Sequence, residues 1–318
     1  MTANTLTQEY TEQFFTVPAP CRFRLGNIRG RVEIQPGEDG VIQVTAVKHA
    51  DSGDAENTRI ELSQGEDGSV SVETRYDEPL GWFFFPRRPC KVDYRVRLPH
   101  ACTLWVSGVT SSVSVQGLEG EMSFSTVSGA LALADLSGKL HAKSVSGEVS
   151  GENLSGGLVL ETVSGNARLD SCRFSSLQAS TVSAALAIQT PLAGGPYRFR
   201  SVSGDVRLVV PHGTACTLTS QSVSGKIVSD LSTTHSQVRA DQRRVEVHGG
   251  GVEVHHNSIS GNLKLFASGE APAADPVEPA PVQAPAPEAA SFPDRWEILE
   301  SIDRGELTAG EALKILKG

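Results

Sequence analysis

One short phrase recurs through the middle of this 318-residue chain at a nearly fixed interval. Thr126-Val127-Ser128-Gly129 returns at Ser144–Gly147, Thr162–Gly165, Thr181–Ala184, Ser201–Gly204, Ser222–Gly225 and Ser258–Gly261, and Val106-Ser107-Gly108 begins the series. From Gly108 onward the closing residues are 21, 18, 18, 19, 20, 21 and 36 positions apart, the last gap being two periods of 18. A period near 20 marks a solenoid, in which each repeat is one coil stacked on the next.

The phrase extends into Val-Ser-Gly-x-apolar-x-apolar, as in Val127/Leu131/Leu133, Val163/Ala167/Leu169, Val202/Val206/Leu208 and Ile259/Leu263/Leu265. Alternation with period two puts these residues on one face of a strand. Stacking then predicts one interior column of Val127, Val145, Val163, Val182, Val202, Val223 and Ile259, with the flanking Ser and Thr as outward hydroxyl ladders. The glycine permits a corner that a Cβ would strain. Ala184 breaks that rule, so either φ is negative there or its coil is distorted. A second phrase lies half a period away, at Leu136-Ser137-Gly138, Leu154-Ser155-Gly156 and Leu192-Ala193-Gly194, and implies two or three strands per coil. About eight coils at ~4.7 Å spacing would make a rod roughly 40 Å long.

The predicted architecture is therefore all-β, a single-chain parallel β-solenoid of 18–21 residues per coil. Residues 1–13 read as a disordered tail, 14–100 as a β-rich opening or capping part, and 101–268 as the regular repeats. Residues 269–290, with six prolines, form a Pro/Ala-rich linker. Residues 291–318 carry two capping-box starts, Ser291 with Asp294 and Thr308 with Glu311, and read as a small α-helical hairpin. Its apolar stripe of Trp296, Leu299, Ile302, Leu313 and Leu316 is too small to be buried within the hairpin, so it should meet a partner, another copy or the rod.

A formal charge of −9 excludes the basic footprint of a nucleic-acid-binding protein. No secretory signal and no apolar run long enough to span a membrane is visible, so the expected location is the cytoplasm. Five cysteines, Cys21, Cys90, Cys102, Cys172 and Cys216, lack CxxC spacing and read as small buried hydrophobes of a reducing compartment. Cys102 and Cys216 each precede an inward leucine by two residues, which assigns them one coil position.

Residues 14–268, on the strength of the S/T-V-S-G phrase, resemble the bacterial β-strand-repeat family of unknown function labelled "putative adhesin". The tail Trp296-Glu297-Ile298-Leu299-Glu300-Ser301-Ile302-Asp303-Arg304-Gly305 and its continuation to Leu313 are similar to the SHOCT-like short helical hairpin. The resemblance implies a scaffold, linked to envelope-stress or surface functions, and brings no catalytic residue.

Three local features are candidates for chemistry. Trp82, Phe83, Phe84 and Phe85 beside Arg87 and Arg88 would either cap the end of the solenoid or form a loop that contacts a partner or a membrane interface. Val245-Glu246-Val247-His248 and Val252-Glu253-Val254-His255-His256 would place two Glu-His pairs on neighbouring coils, chemically suited to zinc, yet alternating strands commonly carry such residues outward and no metal site is assigned. The residues after the repeat glycines form no acidic row, and no nucleophile elbow or phosphate-binding loop is present, so neither an enzyme nor a cofactor is expected. The composite expectation is a non-enzymatic scaffold whose tethered hairpin mediates oligomerisation or recruitment. The alternatives are a surface-exposed adhesin-like binding module and, more distantly, a polysaccharide-active enzyme.

Overall fold

The repeat phrase folds into a corner between two strands, and each of its positions has a separate reason to be there. In the computed structural model, which describes residues 8–77, 88–239 and 242–268, the leading hydroxyl points inward rather than outward. Thr126, Ser144, Thr162, Thr181 and Ser201 are all buried. Each turns back across the corner: Ser144 Oγ donates to Gly147 O at 2.7 Å, Thr162 Oγ1 to Gly165 O at 2.7 Å and Ser201 Oγ to Gly204 O at 2.6 Å. A corner carbonyl that would be an orphan inside a protein thus finds a donor on its own coil. The second serine is the outward one. Ser128, Ser146 and Ser164 donate to the carbonyls of Val109, Val127 and Val145 in the preceding coil, at 3.3, 3.1 and 3.3 Å.

Between corners run one longer and one shorter strand, two per coil, as in Glu119–Thr126 and Leu131–Ala134 or Ser137–Ser144 and Val149–Glu152. The longer strands stack in parallel and in register. Inward residues form continuous columns: Met122, Leu140, Leu158, Leu177 and Tyr197 make one, and Phe124, Ala142, Leu160, Ala179 and Phe199 the next. Large and small side chains alternate along the second column, an arrangement that lets side chains interdigitate in a narrow interior. Each fully buried leucine contributes about 1.5–3 kcal/mol. Cys172 takes the place that Leu136 and Leu154 hold in earlier coils, so it behaves as the small buried hydrophobe expected from the sequence.

Two strands are long enough to run through a corner and belong to both faces. Residues 21–27 of Cys21–Pro36 pair with residues 102–108 of Cys102–Gln116, and residues 29–34 pair with 110–115. The N-terminal cap is built on this opening coil. Val70–Tyr76 and Thr58–Gln64 extend one face, while Lys91–Leu98, Val41–His49 and Gln8–Thr16 extend the other, with antiparallel pairing outward. Residues 8–13, expected in a disordered tail, are therefore strand. Their polar, mostly exposed side chains carry no apolar signal, because backbone hydrogen bonds to Val41–His49 hold them.

At the far end the stack departs from chain order. Val252–Ser258 inserts between Tyr197–Ser201 and Cys216–Ser222, parallel to both. Leu263–Ala267 does the same between Val206–Val210 and Ile227–Ser229. The 36-residue gap is thus not a second coil. It holds an antiparallel hairpin, Thr233–Arg239 and Gln242–Val247, laid against Cys216–Ser222 as the closing cap.

The valine column needs correction at this end. Val109, Val127, Val145 and Val163 form a small buried cluster at the corner, separate from the main core, with Ile28 and Val182 partly buried beside it. Val202, Ile259 and Val223, adjacent in the stack, are 43%, 56% and 82% exposed. Period-two parity misassigned the phrase because the valine sits in the corner, after the strand has ended. Among the described residues the fold is all-β, a largely parallel sheet wrapped into a solenoid, with one turn of 3-10 helix at Ala50–Ser52. Residues 269–318, including the expected linker and hairpin, lie outside the described residues.

Candidate functional site

Where the opening strand turns its corner, Gly30 has φ 124°, and a Cβ there would overlap the backbone of Val92. Only glycine lets the strand Lys91–Leu98 approach so closely. Beyond this point alternation takes over. Val32, Ile34, Val92 and Tyr94 face the core, which leaves Arg31, Glu33, Asp93 and Arg95 on the outer face. Together with Arg29, Thr45, Lys91, Thr110 and Ser112 they line an open groove of about 630 Å³.

Four cationic side chains, Arg29, Arg31, Lys91 and Arg95, meet two carboxylates there, Glu33 and Asp93. Both carboxylates are engaged. Asp93 accepts from the Arg31 backbone N–H at 2.8 Å and lies 2.8 Å from His49 Nε2, while Glu33 is shared by Arg31 and Arg95 at 3.4 Å each. Arg29 donates to Ser52 O at 2.9 Å and reaches Pro89 O at 3.5 Å. Lys91 makes no ion pair among the described residues and is exposed. Exposed ion pairs of this kind are worth at most about 1 kcal/mol, so the guanidinium groups can exchange partners at little cost. The floor is firmer. Behind the groove Tyr94 OH, Thr74 Oγ1 and Asn27 form a buried relay (2.7 and 3.1 Å) that ends with Asn27 Nδ2 donating to Val92 O at 2.9 Å. Burial pushes the Tyr94 phenol well above its usual range, so it stays a neutral donor.

Of the site residues expected from the sequence, Trp82, Phe83, Phe84, Phe85 and Arg87 lie outside the described residues, as do Trp296, Leu299, Ile302, Leu313 and Leu316. Arg88 is described and exposed. Its carbonyl accepts from Asp54 N at 2.7 Å, and the carbonyl of the adjacent Pro89 lies 3.5 Å from Arg29, which places Arg88 and Pro89 beside the groove. The two Glu-His pairs are not on neighbouring strands, because Cys216–Ser222 lies between them. His248 turns away at φ 48° and bonds Thr214 O, and no group of three potential metal ligands occurs among the described residues. Sequence reading missed the groove. Its only signal was the outward alternation of charge in Arg29-Gly30-Arg31-Val32-Glu33 and Lys91-Val92-Asp93-Tyr94-Arg95.

No curated protein matches the chain. Among solved structures, a "putative adhesin" from Parabacteroides merdae is 10% identical, with a TM-score of 0.48, covering 81% of this chain and 96% of that one. Another, from Bacteroides fragilis, is 9% identical with a TM-score of 0.44, covering 82% and 99%. A "putative lipid binding protein" from Parabacteroides distasonis is 11% identical with a TM-score of 0.37, covering 81% and 96%. The family model described as Toastrack DUF4097 matches residues 27–266, from the relay asparagine to the inserted strand, and the chain belongs to that family.

Proposed function

We propose that the protein is a non-enzymatic binding scaffold whose groove takes an acidic segment of a protein partner. The observation that carries this reading is the excess of cations at Arg29, Arg31, Lys91 and Arg95, on a chain whose net charge is −9. Planar guanidinium groups on adjacent strands suit paired carboxylates, each Arg offering a two-pronged donor. The C-terminal hairpin read from the sequence supplies the second half of the proposal. Tethered by residues 269–290, its stripe of Trp296, Leu299, Ile302, Leu313 and Leu316 would join copies or recruit a further protein, so that several grooves act on one target.

The groove is tested with a labelled oligoglutamate peptide and the full chain. Binding should weaken as salt is raised. Changing Arg31→Glu together with Arg95→Glu should lower affinity at least tenfold while leaving the melting temperature within a few degrees. Equal binding by the variant and the unaltered protein would remove the groove from the proposal.

A further inference from the structure

We propose that Cys21 and Cys102 form a dithiol that small peroxides convert to a disulfide, locking the N-terminal cap onto the rod. The two residues are direct partners in the parallel pairing of the opening strand with its neighbour. The Cys102 thiol donates to Cys21 Sγ at 3.0 Å. Adjacent strands lie ~4.8 Å apart, inside the 4.4–6.8 Å window of Cα separations that disulfides span. The sulfurs need to close by only about 1 Å to reach bonding distance.

The other cysteines have no such arrangement. Cys90 Sγ faces Ala50 O and Cys172 Sγ faces Asp170 O, while burial pushes the Cys172 and Cys216 thiols up to about 11. Within the pair the donated hydrogen bond favours the thiolate of Cys21 and holds the proton on Cys102. That asymmetry divides the labour. The Cys21 thiolate attacks one peroxide oxygen, breaking the O–O bond to give a sulfenic acid and hydroxide, which takes up a proton as water. Cys102 Sγ then attacks Cys21 Sγ, its proton leaving with the sulfenic hydroxyl as a second water. Two thiols are oxidised by two electrons as one hydrogen peroxide is reduced to two waters.

The pair is 2% and 3% exposed, which suits an oxidant as small as peroxide. Both cysteines are the first residues of their strands, where opening by fraying is easiest. The link closes a span of 81 residues. That span holds every residue lining the groove except Thr110 and Ser112, so oxidation fixes the groove-bearing strands to the rod.

The test treats the reduced full-length protein with hydrogen peroxide, blocks remaining thiols by alkylation under denaturing conditions, and maps the peptides by mass spectrometry without reduction. The expected product is a linked pair of peptides containing Cys21 and Cys102, with Cys90, Cys172 and Cys216 alkylated. The oxidised protein should melt roughly 5–10 °C higher, and a thiol reductant should reverse the shift. Cys102→Ser should abolish the linked peptide and the shift, leaving Cys21 as a sulfenic acid trapped by dimedone. Recovery of Cys21 and Cys102 as unlinked thiols or over-oxidised acids, or an unchanged shift in Cys102→Ser, would overturn the proposal.

Discussion

The corner glycines show how a single atom can set a repeat. None of the glycines that close the Val-Ser-Gly corners (Gly108, Gly129, Gly147, Gly165, Gly204, Gly225 and Gly261) is in the left-handed region, so conformational freedom is not what they supply. A Cβ on Gly165 would overlap the carbonyl of Gly147, and one on Gly147 that of Gly129, which makes close coil-to-coil approach the requirement. Ala184 has no positive φ either, which settles the alternatives left open by the sequence. The extra residue of this coil enters earlier, as a bulge between Phe174 and Ser176 opposite Gly156 and Gly157, so the corner at Ala184 keeps the length of the one before it. The valine before each glycine is governed by its place in the stack. Val163→Asp would bury a charge in the corner cluster and should cost several kcal/mol, whereas Val223→Asp, at 82% exposure, should cost less than ~0.5 kcal/mol. Denaturant midpoints of the two variants decide it, and equal damage would show that the corner cluster extends to the end of the rod.

Among the elements, the inserted strand Val252–Ser258 stands out by what it brings inside. His256 continues the column of Phe124, Ala142, Leu160, Ala179 and Phe199, is fully buried, and bonds Ser220 through Nδ1 at 3.0 Å. Its Nε2 has no hydrogen-bond partner among the described residues. Burial pushes its pKa down to about 4, with Asp205 opposing weakly. The folded state therefore binds a proton less readily than the unfolded chain, whose histidine titrates near 6.5. Stability from this residue is complete above pH 6.5 and is lost as pH falls toward 4, by up to about 3 kcal/mol. Urea unfolding at pH 7 and pH 4.5 should show that loss in the natural protein and a smaller one in His256→Phe. An identical pH dependence in both would mean that His256 is already charged in the fold.

For the molecule as a whole, a core of continuous columns makes the rod one cooperative body capped at both ends by antiparallel strands. Nothing in the described rod requires residues 291–318. Deleting them should leave the melting temperature within a few degrees and lower the molar mass measured by light scattering. An unchanged mass, with no partner lost from a pull-down, would remove oligomerisation and recruitment from the proposed function.

What the sequence determined by itself was local and periodic. Spacing of the phrase and alternation around it specify a coil of two or three strands, a corner between strands and the inward leucines, because each depends only on residues within one period; the structure sets the number at two. Parity failed where the strand stops, as at Val202 and Ile259, since period two describes strands and not corners. The tertiary structure decided the rest. Parallel backbone pairing is nearly blind to side chains, so spacing alone could not reveal that Val252–Ser258 inserts ahead of Cys216–Ser222. The groove is assembled from strands some 60 residues apart in the chain, and the Cys21–Cys102 pair from residues 81 apart. Such neighbours arise only when the opening coil closes, because hydrogen bonds between strands, not any pattern along the chain, bring them together.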